Sequence, residues 1–144
     1  MQSMPKPRLS LAGKQRLTER AGGKCEYCRS RLNFSPNPSS VEHILPISKG
    51  GDSAEDNLAL SCQGCNNKKY TKTTAVDPES GKRVPLFHPR RDQWSEHFRW
   101  SDDSLLIIGI TPTGRASIKS LDLNREGVIN FRRLLVVFGV HPSG

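Results

Sequence analysis

Hydrophobic positions recur along this chain with two different periods, and a change of period marks the end of an element. Leu9, Leu11, Leu17 and Ala21 interleave with basic residues ahead of Gly22-Gly23, which predicts a short basic helix from Ser10 to about Ala21. The stretch "SRLNFSPNPSS" at 30–40 has no period and is rich in Ser, Asn and Pro, so it reads as a loop. "VEHILP" at 41–46 has strand formers ended by Pro46. "SKGGDSAEDN" at 48–57 turns the chain back through Gly-Gly and a single helical turn, and "LALSC" at 58–62 is the apolar return. "NNKKYTKTT" at 66–74 is predicted helical.

Beyond Ala75 the pattern changes. "DPESGKRVP" is a linker or hairpin tip, and "RDQWSEHFRW" predicts a helix with Trp94 and Phe98 on one face. "SLLIIGI" is a buried strand by its apolar run, and Thr113 is placed to cap a helix through about Leu123. Val128, Phe131, Leu135 and Phe138 recur at three and four, giving an amphipathic helix that stops at Gly139.

Composition narrows the class. At 144 residues and 34% hydrophobic content the chain suits one compact domain over 1–144 with a modest core. No apolar run approaches the roughly 18 residues of a membrane span, and "MQSMPKPRLS" lacks the apolar stretch of a secretory signal, so a cytoplasmic location is expected. The net charge of +8 favours a polyanionic partner, most simply nucleic acid. Residues 1–40 hold eight Lys/Arg against two acids, 41–74 four against four, and 75–144 ten against eight. The excess therefore precedes "VEHILP", where a basic arm or helix over 1–23 can follow phosphates; a solvated basic tail explains the same excess.

Four cysteines come as two pairs, Cys25-x-x-Cys28 and Cys62-x-x-Cys65. Thiolates two residues apart share one tetrahedral ion, and two such knuckles fill a closed, structural zinc site. A redox CxxC is expected once, beside a βαβ pattern, which is absent here. Between the knuckles the order strand, loop, strand, helix is a ββα unit carrying Glu42, His43, Asn57 and Asn66. Zinc at Cys65 fixes the next residue, Asn66, on the first helical turn.

With these residues in place, "CEYC…VEHILPISKGGDSAEDNLALSCQGCNNKK" resembles the HNH endonuclease superfamily, in the variety whose ββα-metal motif is supported by two CxxC knuckles. The likeness covers roughly residues 24–72, within a core motif over about 24–74, and the extension over 75–144 is similar to the C-terminal part of standalone bacterial HNH proteins. The fold it implies is α+β: a zinc-stapled ββα-metal motif with flanking helices and a small C-terminal α/β extension. It implies that His43 is the general base, which its ordinary pKa of about 6.5 permits. Glu42 stands where the family more often has Asp as metal ligand. Neighbouring strand residues face opposite ways, so a bend or strand end is required near 42–43.

The resemblance further implies that Asn57 holds the loop that orients His43, and that Asn66, in place of the frequent histidine, ligates a hard cation such as Mg²⁺ or Mn²⁺. Lys69, with Lys68 and Lys72, is implied at DNA phosphates; solvated helix charges are the plain alternative. The activity implied is hydrolysis of DNA phosphodiester bonds with one divalent metal, and no obligatory protein partner is evident. A non-catalytic zinc module that binds nucleic acid and an RNA nuclease are the competing readings. His88, His97 and His141 read as structural or exposed. Arg90, Arg91, Arg115, Arg132 and Arg133 read as an extended DNA track or as solvated faces, and Trp94, Phe98 and Trp100 as core.

Overall fold

A computed structural model describes residues 9–142; Lys6 and Arg8 of the expected basic arm lie outside the described residues. Helix α1 (Leu11–Arg20) begins where Ser10 Oγ accepts from Gly13 N at 3.0 Å, and it buries Leu17. It ends at Ala21, one residue before Gly22 and Gly23 turn left-handed. Arg20 docks this helix by donating to the carbonyls of Glu55 (2.9 Å) and Leu58 (2.7 Å).

Strand β1 (Ser40–His43) pairs antiparallel with β2 (Leu58–Ser61), with Glu42 opposite Ala59 and His43 opposite Leu58. β2 is buried along its whole length because the first knuckle covers its far edge: Glu26 N donates to Leu60 O, and Leu60 N donates to Glu26 Oε2. β1 ends at His43, as the facing of Glu42 and His43 requires, and the chain bends at once. The return loop is held tight at Gly51, where a Cβ would meet Leu45 O at 1.8 Å.

Helix α2 (Gln63–Lys69) starts from Cys62, earlier than "NNKKYTKTT" suggested, and stops at Tyr70, whose φ of 49° breaks the helical path. Thr71–Thr74 are therefore not helical. Thr74 opens β3 (Thr74–Val76), which forms a hairpin with β4 (Arg83–Pro85) around the "DPESGK" turn. Asp77, fully buried, ties that turn by accepting from Glu79 N and Ser80 N, and Arg115 grips both its oxygens at 3.0 Å.

The helix expected over "RDQWSEHFRW" is a single turn, α3 (Trp94–His97). Phe98–Trp100 instead forms β5, paired with β6 (Ile107–Gly109), so sheet pairing overrides the i, i+4 spacing of Trp94 and Phe98. Helix α4 (Pro112–Leu121) is capped by Thr111, two residues before the cap expected at Thr113, because Pro112 takes the first helical position. Gly114 lets this helix touch the β5–β6 layer: a Cβ there would meet His97 O at 2.1 Å.

In α5 (Glu126–Val137) the buried stripe is Val128, Arg132 and Leu135; Phe138, expected on it, is 76% exposed. One apolar cluster joins Tyr27, Ile44 and Ala59 of the ββα region to Phe87, Phe98, Ile107, Leu121 and Leu123 of the extension.

The Asp77–Arg115 pair makes a pH prediction. The Arg115 guanidinium holds the Asp77 carboxyl well below the usual carboxylate range. Its stabilisation is complete above the ordinary value of about 4 and disappears as the pH falls toward the depressed one. The melting-temperature gap between wild type and Asp77→Asn is expected to be widest near pH 7 and to narrow below about pH 4. A gap independent of pH would mean that the charge of this pair contributes nothing.

Candidate metal and catalytic site

The sulfurs of Cys25, Cys28, Cys62 and Cys65 lie within 4.8 Å of one another. Tetrahedral Zn–S bonds of about 2.3 Å require sulfurs about 3.8 Å apart, and Cys28 Sγ stands 3.7 Å from Cys62 Sγ. Both the donor set and the spacing fit zinc. Four thiolates around a divalent ion leave a net negative charge, and Arg125 faces it, with Nη2 at 3.2 Å from Cys62 Sγ and Nη1 at 3.6 Å from Cys65 Sγ.

Behind the cluster sits Arg132, which has no exposed surface. It donates to the carbonyls of Leu105 (2.8 Å), Leu123 (2.7 Å) and Cys28 (3.3 Å) and to Asn124 Oδ1 (2.9 Å). Burial lowers its pKa to about 10. Arg132 thus ties α5 to the first knuckle and is neither part of a DNA track nor a solvated face.

Glu42, His43 and Asn66 line one cleft of about 470 Å³ with Pro46, Ile47, Asn67, Tyr70 and Thr71. The ββα register sets this: β1 supplies the first two residues at its end, and α2, started by Cys62 and Cys65, supplies the third. His43 is 7% exposed, and its Nε2 lies 3.1 Å from Ser53 Oγ. Asn57 fixes the loop between them with three bonds: its Nδ2 donates to Leu45 O (3.0 Å) and Asp52 O (2.8 Å), and its Oδ1 accepts from Leu45 N (2.8 Å).

Glu42 is 2% exposed and lies inside a polar cage. Tyr27 Oη donates to its Oε2 at 2.5 Å, and Lys69 Nζ stands 2.5 Å from its Oε1. Beside this acid, and with burial as the larger cause, the Tyr27 phenol is pushed well above its usual range. Lys69 is 1% exposed and also donates to Ile44 O at 2.8 Å, so its expected phosphate contact is corrected. The reason is packing: Lys69 lies on the inner face of α2, where a buried carboxylate holds its charge.

Lys68 and Lys72 stay at the surface beside the end of α4, Lys68 at 3.9 Å from Asp122 Oδ2 and Lys72 donating to Ser120. Tyr27, Ser53 and Arg125 are the participants that sequence reasoning missed, and the role of Arg132 was misread. Only Tyr27, inside "CEYC", had a local signal, since a phenol within a knuckle is placed to reach the core that the knuckle covers.

Two antiparallel strands and a helix tied by a four-cysteine cluster, with a histidine at the strand end, define a ββα-metal fold of the HNH class. Residues 25–72 match the model of the HNH endonuclease family. The domain therefore supports a nuclease-type function on nucleic acid in general. A curated relative is Septu protein PtuB of Bacillus mycoides (strain KBAB4), 30% identical over 138 residues. That alignment covers 78% of this chain and 47% of the relative, so the chain spans about half the length of the curated relative it matches. No solved structure matches the chain significantly.

Proposed function

We propose that this chain is a metal-dependent endonuclease that hydrolyses DNA phosphodiester bonds, with His43 as general base and Glu42 and Asn66 as holders of Mg²⁺ or Mn²⁺. The observation that carries this reading is the shared cleft of Glu42, His43 and Asn66. A carboxylate and a side-chain amide are oxygen donors suited to a hard cation, and Lys69 already supplies a positive charge at Glu42. When bound, such an ion supplies charge neutralisation at the phosphate and at the leaving oxygen.

The chain's own residues do the rest. The His43 imidazole, hydrogen-bonded through Nε2 with Ser53 Oγ, is the group that takes a proton from the attacking water. Asn57 keeps the 44–57 loop, and with it the histidine, in place. Lys68 and Lys72 remain exposed candidates for phosphate contacts. The site is tested by nicking of supercoiled plasmid with Mg²⁺ or Mn²⁺ against the same assay on RNA. Metal-dependent cutting of DNA is expected, and absence of cutting with either ion speaks for the non-catalytic reading.

Lys69 gives a second test of the same site. Replacing it by methionine takes the Lys69 ammonium away from buried Glu42, at a cost of about 3–5 kcal/mol by urea unfolding of the zinc-loaded protein without added Mg²⁺ or Mn²⁺. Because the competitor for Oε1 is gone, Mn²⁺ affinity read by electron paramagnetic resonance is expected to rise. Unchanged stability and unchanged affinity together would remove Glu42 from the metal site.

We further read residues 1–144 as one domain, supported by the apolar cluster that spans both halves of the described chain. Among the described residues no helix is long and apolar enough to cross a membrane, and four free cysteines placed for metal suit the cytoplasm. The Septu relative favours a defence setting over repair or homing. It does not agree with the expectation that no protein partner is needed, and that expectation is dropped.

A further inference from the structure

A second concavity, of about 640 Å³, opens between the first knuckle and the 89–100 segment and shares no lining residue with the Glu42–His43–Asn66 cleft. Four cationic side chains, Arg20, Lys24, Arg29 and Arg90, line it against two acids, Glu26 and Asp92. Trp94 and Trp100 form part of its wall. Small-ligand clefts span roughly 300–1,000 Å³.

The positive charge there is crowded. Arg20 is spent on backbone carbonyls, and Arg29 lies over the Trp94 ring at 5.0 Å; among the described residues neither joins an ion pair. Arg90 pairs with Glu26, whose other oxygen is held by Leu60 N, and Asp92 accepts from His88 N in its own loop. Burial, then the charge of Arg20, draws Arg90 down to about 10. Cations gathered around a half-enclosed space are relieved when an anion enters.

The aromatic wall adds a second preference. Trp94 and Trp100 have ring centroids 5.4 Å apart at 36°, a broad π surface beside the guanidinium groups. Arginine forks match phosphate oxygens, and indoles take the face or edge of a base. We propose that this cavity binds a nucleoside phosphate, its phosphate among Arg20, Lys24, Arg29 and Arg90 and its base against the Trp94–Trp100 pair. A free nucleotide and a terminal or extruded nucleotide of a strand present the same chemistry.

Trp94 and Trp100 are the two tryptophans of the chain, so intrinsic fluorescence reports on this cavity without a label. The full zinc-loaded chain, without added Mg²⁺ or Mn²⁺, is titrated with adenosine monophosphate, with inorganic phosphate and with a short 5′-phosphorylated oligonucleotide. Saturable quenching is expected, with inorganic phosphate at least about tenfold weaker than the tighter of the other two. Tighter binding of the mononucleotide assigns a free ligand, and tighter binding of the oligonucleotide assigns a strand.

Lys24→Gln and Arg29→Asn are each expected to weaken binding about tenfold, asparagine being suited to the left-handed φ of 63° at Arg29. Melting curves taken beside the titrations separate lost binding from a lost fold, and Lys24→Gln stands as the informative variant if Arg29→Asn unfolds. No saturable change with the mononucleotide or the oligonucleotide at millimolar concentration, or undiminished affinity in Lys24→Gln, would overturn the proposal. Cutting is not measured, so this result is independent of the nuclease assignment.

Discussion

Removal of zinc by a strong chelator is expected to unfold the protein. A structural zinc site withdraws about 10–16 kcal/mol of binding free energy when emptied, more than the whole stability of an ordinary domain. The geometry says why the loss is global. Cys25 and Cys28 join the segment after α1 to the edge of β2, while Cys62 and Cys65 start α2, so the cluster fastens three elements at once. Arg125 is held against the sulfurs and Arg132 against Cys28 O, which extends the dependence to α5. Thermal melts by circular dichroism with and without chelator check this. A transition at the same temperature in the metal-free protein would remove the stapling role.

His43→Ala is expected to lower plasmid cutting by about 10²–10⁴-fold, the contribution of a positioned general base. DNA affinity should change little, since affinity comes mainly from cationic side chains at phosphates rather than from the histidine. His43 is packed at the end of β1 with Ser53 on Nε2, so alanine leaves the backbone path and the Asn57 bonds intact. Comparing cutting rate and gel-shift affinity in one protein preparation separates a chemical loss from a binding loss. Equal cutting by both proteins would take the base role away from His43.

The two CxxC spacings, the strand formers of "VEHILP" and the apolar run "LALSC" made the ββα unit legible, because each depends on residues near one another in sequence. The start of the first helix at Ser10 and the hairpin tip within "DPESGKRVP" were legible for the same reason. Lys69 was not. Its position one turn after Asn66 fits a phosphate contact equally well, and only the packing of α2 on β1 puts Nζ against Glu42. Arg132 and Arg125 were hidden because their partners are carbonyls and thiolates far away in the chain, which leave no charge pattern to read. Trp94 and Phe98 misled through a true helical spacing that pairing of β5 with β6 overrode.

The surroundings of Glu42 also set how the site works. A carboxylate held by a phenol and an ammonium is already charge-balanced, so if Glu42 holds the proposed divalent cation, that cation would displace the ammonium from Oε1. On that reading Lys69 would gate metal binding, its ammonium being held also by the Ile44 carbonyl just past the end of β1.

A crystal soaked in Mn²⁺ and measured at the manganese absorption edge tests this most directly. The account requires an anomalous peak within about 2–2.5 Å of oxygens from both Glu42 and Asn66, with Lys69 Nζ moved off Oε1. Glu42 still clasped by Lys69 and Tyr27, with no peak between it and Asn66 at saturating Mn²⁺, would contradict it.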